Sequence, residues 1–245
     1  SLLYRSLPRY EMFSRFEKAV FGRASETEIL MISPVQVPLF EKYYETQRRR
    51  VHLLSPGISR DRIAPLNRVQ IRMDFRREMA VADDELLLLM IGSGFVTKGL
   101  DRALIAVAAL SDEIRSKTRL MVIGQDSPRR FLRMAKRLGI ADHLTIFKGR
   151  DDIPRFLMGA DLLLHPAYVE NTGTVLLEAI VAGLPVLATD ICGYAHYIEE
   201  AAAGQLIPSP YQQETFSIML RSMMLSEERR QWSENGITFS HHADI

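Results

Sequence analysis

The sequence predicts an α/β fold, a Rossmann-like doubly wound parallel sheet. Two observations lead to this prediction. From Leu86 onward, short runs of apolar residues recur, each stopped by loop residues, and a helical pattern separates one run from the next. Uninterrupted apolar runs are typical of strands buried on both faces of a parallel sheet. Their alternation with helices indicates right-handed βαβ units.

The predicted elements of this repeat follow one another closely along the chain. A tail of polar helices over 212–235 is expected to close the domain. The strands are predicted at 86–91, 119–123, 144–147, 162–164 and 185–189, and the helices between them at 100–110, 128–138, 153–158 and 174–182.

The beginning of the chain falls outside this repeat. Helical patterns at 6–21 and 35–44 alternate with apolar runs at 28–32 and 51–54, which predicts one βα unit without its neighbouring strands. The stretch Ser55-Pro56-Gly57 is interpreted as a hinge. The expected segments are a remnant domain at 1–57, a connector of low pattern at 58–84 and a ligand-binding domain at 85–245.

The composition excludes some classes of function. Of 245 residues, 47% are hydrophobic and 25% are charged, as in ordinary globular proteins. The formal net charge is +1, from 31 basic and 30 acidic residues, so we expect no basic field over the whole chain and no nucleic-acid partner. The one cysteine, Cys192, allows no internal disulfide. No apolar run approaches the roughly 18 residues needed to span a bilayer.

A glycine-rich loop follows the first strand of the repeat. Ligands of doubly wound sheets bind outside the carboxyl ends of the strands, so this position is a candidate site. Small residues at Gly92, Ser93 and Thr97 would let backbone amides approach a phosphate, and Lys98 would add a positive charge. The loop is neither a Walker A motif nor the G-x-G-x-x-G motif of dinucleotide-binding proteins. A tight turn with a solvated lysine is the alternative.

A second candidate lies between Glu170 and Glu178. Glu170 falls in the loop after the fourth predicted strand, where its carboxylate could accept hydrogen bonds from sugar hydroxyls. Glu178 interrupts an otherwise apolar helix, where a carboxylate is costly to bury unless it meets donors such as two ribose hydroxyls. The alternative is that Glu178 pairs with an arginine at the helix edge. The start of the helix would offer backbone amides to an anion at Thr172, Gly173, Thr174 and Val175.

The remaining polar candidates are weaker. His165 ends a strand, and a structural histidine at that position is at least as plausible as a contact with the ligand. Asp151 and Asp152 are interpreted as caps of the helix that follows them, and Cys192 as a packing residue. The two histidines near the end of the chain are not assigned to a metal, and no metal site is expected.

These motifs together resemble a known family. Glu170-x7-Glu178, followed by the stretch 182–186, resembles the donor-site signature of the retaining family-4 glycosyltransferases of the GT-B fold. The loop 92–99 is similar to the phosphate loop of that family. Further stretches are similar to the branch of the family that adds the first glucose to a heptose of lipopolysaccharide. These stretches are 122–126, 160–168 and 192–198.

The resemblance implies retaining transfer of glucose from UDP-glucose to a heptose of the lipopolysaccharide inner core, without a metal. It assigns the donor diphosphate to Lys98 and to the amides of Gly173 and Thr174. It also assigns the ribose to Glu178 and the glucose hydroxyls to Glu170. Lys98 and Glu170 are then the residues expected to take part in catalysis.

The resemblance also assigns residues to the uracil base of the donor. Two other functions remain open. The stretch Gly149-Arg150-Asp151 would flank the uracil. Ser93 and Thr97 stand where relatives carry an arginine, so one positive charge fewer would face the diphosphate. The alternatives are a UDP-sugar epimerase, which shares the architecture, and a non-catalytic interaction module attached to a membrane.

Members of this family pair two Rossmann-like domains, with the site between them. By resemblance, this chain would hold the donor domain and the last part of the acceptor domain. The acceptor-side catalytic residues would lie before Ser1, so we expect the chain alone to bind UDP without turning over. A lipid-anchored lipopolysaccharide acceptor implies an enzyme in the cytoplasm, peripheral on the cytoplasmic face of the inner membrane.

The segment 1–23 suits an anionic membrane surface. Five basic residues against two acidic ones give it a net charge of +3. Phe13, Phe16 and Val20 would share one face of a helix, with Arg15 and Lys18 flanking that face. Basic residues around aromatic anchors are typical of helices that lie on membranes. A helix that covers its own sheet is the alternative, and the lipid-anchored acceptor favours the membrane.

Overall fold

The computed structural model describes residues 7–243 of the chain. Two compact units can be separated, Ser1–Pro56 and Gly57–Ile245. The division falls within the stretch that the sequence marks as a hinge. The first residue of the helix predicted over 6–21 lies outside the described residues. None of the helices in the described part of the chain is long and apolar enough to cross a bilayer.

The first unit is built around two parallel strands, in which Ile29 pairs with Val51 and Met31 with Leu53. Ile29, Met31 and Val37 form its small buried core. The predicted pair of strands with a helix between them is therefore confirmed. The elements are α1 (Pro8–Phe21), β1 (Ile29–Met31), α2 (Val37–Tyr44) and β2 (Val51–Leu53).

A buried arginine fixes the end of helix α1. Arg50 is fully buried, and its guanidinium donates hydrogen bonds of 2.5–2.9 Å to the carbonyl oxygens of Val20, Gly22 and Thr27. The cation is stabilised there because helix ends expose carbonyl groups of negative partial charge. Helix α1 itself buries no residue within this unit.

The second unit alternates strands and helices. Its described strands are β3 (Leu86–Ile91), β4 (Thr118–Ile123), β5 (Leu144–Phe147), β6 (Leu162–His165), β7 (Val186–Thr189) and β8 (Gly204–Ile207). Its described α-helices are α3 (Arg68–Glu78), α4 (Leu100–Ala108), α5 (Asp112–Ser116), α6 (Arg129–Arg137), α7 (Ile153–Gly159), α8 (Thr174–Val181), α9 (His196–Glu200), α10 (Gln213–Leu225) and α11 (Arg229–Ser240).

The strands of this unit form one parallel sheet. Their order is β5-β4-β3-β6-β7-β8, so the chain builds one half of the sheet outward from β3 and then returns to build the other half from β6. Leu88 on β3 lies opposite Leu120 on one side and Leu162 on the other. This is the doubly wound order, and the predicted Rossmann-like fold is confirmed.

Alternate residues of the central strand face two separate cores. Leu87 and Leu89 belong to the hydrophobic cluster on one face of the sheet, and Leu88 and Met90 belong to the cluster on the other. Because helices cover both faces, the strand needs no polar residues at alternate positions. The uninterrupted apolar runs of the sequence have this physical cause.

The connector of low pattern over 58–84 contains, in its second half, a helix that the sequence did not predict. Residues Arg68–Glu78 form helix α3, and the Phe75 ring packs at 4.8 Å from the Phe156 ring in the core. Only Phe75 and Arg76 of this helix are buried. A helix that buries so few apolar residues shows little periodicity in its sequence.

The short helices α5 and α9 and the strand β8 were also not predicted. Strand β8 lies at the edge of the sheet and is only half-buried over its first three residues. Its sequence, which includes Gln205, is therefore less apolar than those of the central strands.

Candidate functional site

The order of the strands positions the candidate site. The winding reverses between β3 and β6, and in sheets of this kind a crevice opens there at the carboxyl ends of the strands. The loop 92–99 leaves β3, and the loop 166–173 leaves β6. Gly99 stands between the two loops with φ at +75°, and a Cβ on it would overlap the Pro166 carbonyl group. Glycine is needed there for the loops to approach each other.

The amides of the glycine-rich loop already bind a carboxylate of the chain. Asp126 Oδ2 accepts hydrogen bonds from the backbone N–H of Gly94 at 2.5 Å and of Phe95 at 3.3 Å. The loop therefore has amides aimed at an anion, as the sequence suggested, but the anion is a side chain of the neighbouring loop. Sequence reasoning missed Asp126, because a single carboxylate in a loop carries no motif.

Ser93 and Thr97 hold the glycine-rich loop in its shape. Gln125 N donates to Ser93 Oγ at 3.1 Å, and Thr97 Oγ1 donates to the Gly94 carbonyl at 2.8 Å. Gly92 N donates to a carbonyl of β4 and so continues the sheet ladder. The loop positions predicted to contact a phosphate thus have structural partners, and their contact with a phosphate stays a prediction.

Lys98, Glu170 and His165 converge in one cluster. Lys98 Nζ and His165 Nε2 both contact Oε2 of Glu170, the histidine at 3.1 Å. The Glu170 side chain is 10% exposed and the His165 side chain 1%. Lys98 comes from the glycine-rich loop, His165 from the last residue of β6 and Glu170 from the following loop. Lys98 and Glu170, which the sequence placed in one crevice, are therefore in direct contact.

Burial sets the charge of this cluster. Burial, with a smaller contribution from the Lys98 charge, lowers the pKa of His165 to about 3. The imidazole is therefore neutral near neutral pH, and the tautomer with hydrogen on Nε2 donates to the Glu170 carboxylate. Burial also lowers the pKa of Lys98. His165 thus acts as a buried structural donor, the alternative that the sequence left open for it.

The start of helix α8 lies beside the cluster. Gly173 precedes the helix with φ at +84°, and no side chain caps the helix start. The first N–H groups of a helix lack acceptors within it, so the amides of Thr174 and Val175 are available to an anion. A Cβ on Gly173 would stand 3.3 Å from Cγ of Glu170, which shows how closely the two features adjoin.

Aromatic residues support the loop between β6 and α8. The Arg102 guanidinium lies between the rings of Tyr168 and Tyr211, at 3.5 and 3.6 Å from their centroids. Tyr194 N donates to the Thr172 carbonyl at 2.8 Å. Sequence reasoning missed this sandwich, because its three members come from distant parts of the chain and carry no motif.

Glu178 meets an arginine from the segment that precedes α3. Its Oε1 lies 3.4 Å from Arg62 Nε, so the arginine partner weighed as an alternative is present. Burial raises the pKa of Glu178, and the Arg62 charge opposes that shift. Arg62 Nε and Nη1 are buried and find no hydrogen-bond partner among the described residues. Because a carboxylate accepts several hydrogen bonds, this pair leaves capacity for sugar hydroxyls.

The stretch predicted to flank the uracil borders the loop that follows β4. A Cβ on Gly149 would stand 3.0 Å from Nε2 of Gln125. Arg150 holds both carboxylate oxygens of Asp152, at 2.6 and 2.7 Å. Asp152 does precede α7, but its side chain makes no capping hydrogen bond. The predicted cap was wrong at Asp152, whose carboxylate faces Arg150 instead of the helix amides, and Asp151 is exposed.

Cys192 is a packing residue, as predicted. It is fully buried, and burial raises the pKa of its thiol to about 11. Over residues 7–243, no group of three or more His, Cys, Asp and Glu side chains could hold a metal ion. Independence from metal stays a prediction.

Comparison with known proteins points to one family. The family model described as glycosyl transferases group 1 matches residues 72–239. The lipopolysaccharide glucosyltransferase WaaG of Escherichia coli (strain K12) is 42% identical over 243 residues, which are 99% of this chain and 64% of that protein. A D-inositol 3-phosphate glycosyltransferase of Streptomyces avermitilis is 32% identical over 68% of this chain and 38% of its own length. The chain thus spans less than two thirds of these relatives.

Solved structures agree with this result. A crystal structure of WaaG, a glycosyltransferase involved in lipopolysaccharide biosynthesis, superposes with a TM-score of 0.90 at 41% identity, covering 99% of this chain and 66% of that one. The structure of Anabaena Alr3699/HepE in complex with UDP-glucose has a TM-score of 0.76 at 18% identity, over 94% of this chain and 64% of that one. The second likeness concerns the fold alone.

Proposed function

Because the chain belongs to the family of group 1 glycosyl transferases, we propose that it forms the donor-binding part of a retaining glucosyltransferase. The donor is UDP-glucose, and the acceptor is a heptose of the lipopolysaccharide core. The observation that carries this proposal is the contact of Lys98 with Glu170 beside the uncapped start of α8. The 42% identity with the Escherichia coli lipopolysaccharide glucosyltransferase supports the choice of sugar and acceptor.

Lys98 and the start of α8 stabilise the leaving diphosphate. In the transfer step the bond between C1 of glucose and the β-phosphate oxygen breaks while C1 bonds to the acceptor hydroxyl oxygen. Negative charge develops on the leaving oxygen, and the diphosphate takes up the proton that the hydroxyl loses. An ammonium group has three N–H donors, so Lys98 can keep its contact with Glu170 and still donate to a phosphate oxygen. Helix amides add further donors to the same charge.

Glu170 orients the sugar in this proposal, and His165 orients Glu170. With one oxygen held by Lys98 and His165, the other oxygen of Glu170 remains to accept hydrogen bonds from glucose hydroxyls. Glu178 accepts from the ribose hydroxyls, and the Arg62 charge opposes the rise in the pKa of Glu178 that burial causes. Residues 149–151 flank the uracil.

Titration calorimetry with UDP tests the donor site in the 245-residue chain. We expect binding with and without magnesium, since the proposal uses no metal. Lys98→Gln keeps a donor for Glu170 but removes the charge, and Glu178→Ala removes the ribose acceptor. Each change should weaken UDP binding roughly ten- to a hundredfold, the cost of one hydrogen bond to a charged group.

Two matched variants serve as controls. Lys117→Gln removes the same charge from an exposed ion pair with Asp84, and Glu113→Ala removes an exposed carboxylate from α5. Both should bind UDP as the unchanged chain does. No binding at millimolar UDP would refute the proposed donor site, and binding only with magnesium would refute its independence from metal.

A transfer assay tests the proposed acceptor. Labelled UDP-glucose is incubated with lipopolysaccharide that ends at the inner-core heptose, and labelled lipopolysaccharide is measured. We expect UDP binding by this chain without transfer, because the chain spans only 64% of the length of the Escherichia coli glucosyltransferase. Transfer by the chain would refute that expectation while supporting the enzyme class. Epimerised UDP-sugar as the product would favour the epimerase alternative.

A further inference from the structure

A cavity of about 340 Å³ lies at the amino ends of the strands, and the candidate donor site lies at their carboxyl ends. Asp161 and Pro185 in its wall directly precede β6 and β7, so the cavity is at the amino ends of these strands. Lys98 and Glu170 follow the carboxyl ends of β3 and β6. The polar lining of the cavity consists of Arg68, Arg72, Arg229, Arg230, Asp161 and Ser233.

The charges around this cavity do not balance. Its one lining carboxylate, Asp161, is taken by Arg72 at 2.5 Å and by Arg76 at 3.0 Å. Arg230 pairs outward with Glu234 on its own helix. Among the described residues, no carboxylate lies within 4 Å of the guanidinium groups of Arg68 or Arg229. Two cations therefore face the cavity without an anionic partner.

The unpaired arginines are held in place by other contacts. Arg68 Nη1 donates to Ser233 Oγ at 3.2 Å and lies against Gly183, where a Cβ would stand 3.0 Å from it. Arg229 donates to the Met224 carbonyl. Each contact uses only part of a guanidinium group, which has five N–H donors, so donors remain for a ligand. Fixed guanidinium forks suit the oxygens of a phosphate group.

We propose that this cavity binds a small phosphorylated anion. The phosphate group lies between Arg68 and Arg229, next to Ser233 and the start of α11. Helix α11 begins at Arg229, so its first amides add to the positive potential at the same place. Because the cavity and the donor site lie at opposite ends of the strands, the anion and a nucleotide sugar do not compete for the same site.

Titration of the ¹⁵N-labelled 245-residue chain with inorganic phosphate, followed by NMR, tests the proposal. We expect saturable shifts of the Gly183 and Ser233 amides. Shifts at 93–99 and 172–175 report the donor site separately, so binding at the two places is distinguished in one experiment. Sodium chloride of equal ionic strength should not reproduce the shifts at Gly183 and Ser233, and equal shifts with chloride would overturn the proposal.

Two variants make the test specific. Arg68→Gln should weaken phosphate binding at the cavity about tenfold, while Arg133→Gln, which removes the same charge from the exposed face of α6, should change it less than about twofold. Ser233→Glu places a carboxylate beside Arg68, so it should abolish phosphate binding while it keeps or raises the thermal stability of the chain. Equal weakening by both arginine variants, or unchanged binding in Ser233→Glu, would overturn the proposal.

Discussion

Acid sensitivity should be built into this fold by His165. The side chain is 1% exposed, and its pKa is lowered from 6.5 to about 3, first by burial and then by the Lys98 charge. Between these two values the unfolded chain binds a proton at this position and the folded chain does not. Stability therefore falls as the pH falls from about 7 towards 3.

The size of this effect follows from the two pKa values. At pH 7 the unfolded histidine is mostly neutral, so the linkage to His165 hardly lowers the free energy of unfolding. At pH 5 the unfolded histidine is protonated almost completely, and the linkage lowers the free energy of unfolding by about 2 kcal/mol. The variant His165→Gln cannot titrate, and its amide can still donate to Glu170. It should lose about 2 kcal/mol less than the unchanged chain between pH 7 and pH 5.

Urea unfolding at the two pH values measures this difference. Trp232 is the one tryptophan of the chain and is buried in the second unit, so its fluorescence follows the unfolding of that unit. Leu164→Val is the matched control, because it disturbs the same buried strand without changing a titratable group. It should retain the pH dependence of the unchanged chain. Equal losses of stability for His165→Gln and the unchanged chain would refute the reasoning.

Two further predictions concern the loop crossing and the membrane. Gly99→Ala should destabilise the second unit by about 2 kcal/mol or more, since it adds an overlap with Pro166 to the strain at φ +75°. Gly139→Ala, at φ +72° with nothing within 4 Å, should cost only about 1 kcal/mol in the same urea experiment, and equal costs would contradict the argument. The chain should sediment with anionic but not neutral vesicles, less so in salt, since each basic residue of the first helix contributes about 1 kcal/mol. Replacing the exposed Phe13 and Phe16 by serine should reduce this binding, while Leu39→Ser on α2 should not, and equal binding by all variants would contradict a role for α1.

The strands of the sheet could be predicted because the sequence signal of each strand lies within the strand itself. Each strand that is covered on both faces must be apolar throughout, and such a run is visible without knowing its neighbours. Helix α3 escaped prediction because its contribution to the core is one phenylalanine, while Arg72 and Arg76 point to Asp161, 85 or more residues away. Such a helix is stabilised by partners that its own sequence does not contain.

The candidate site could be predicted only where it depends on strand ends. Lys98 and Glu170 each follow a strand, and they meet because β3 and β6 are neighbours in the sheet. Asp126 also follows a strand, β4, which neighbours β3, but a single carboxylate there belongs to no motif. Arg62 ends a short 3-10 helix, and its role follows from a contact with a distant part of the chain.

These unpredicted contacts bear on where a diphosphate can bind. The amides of Gly94 and Phe95 are occupied by Asp126, so a phosphate there would have to displace that carboxylate or lie against it. Repulsion between the two anions makes this position unfavourable. Lys98 differs, because its ammonium group can hold Glu170 and a phosphate oxygen together. The start of α8 carries no capping side chain, so an anion that binds its amides displaces no side chain. If the proposed donor site is correct, a diphosphate should therefore bind between Lys98 and the start of α8 rather than at the amides of the glycine-rich loop.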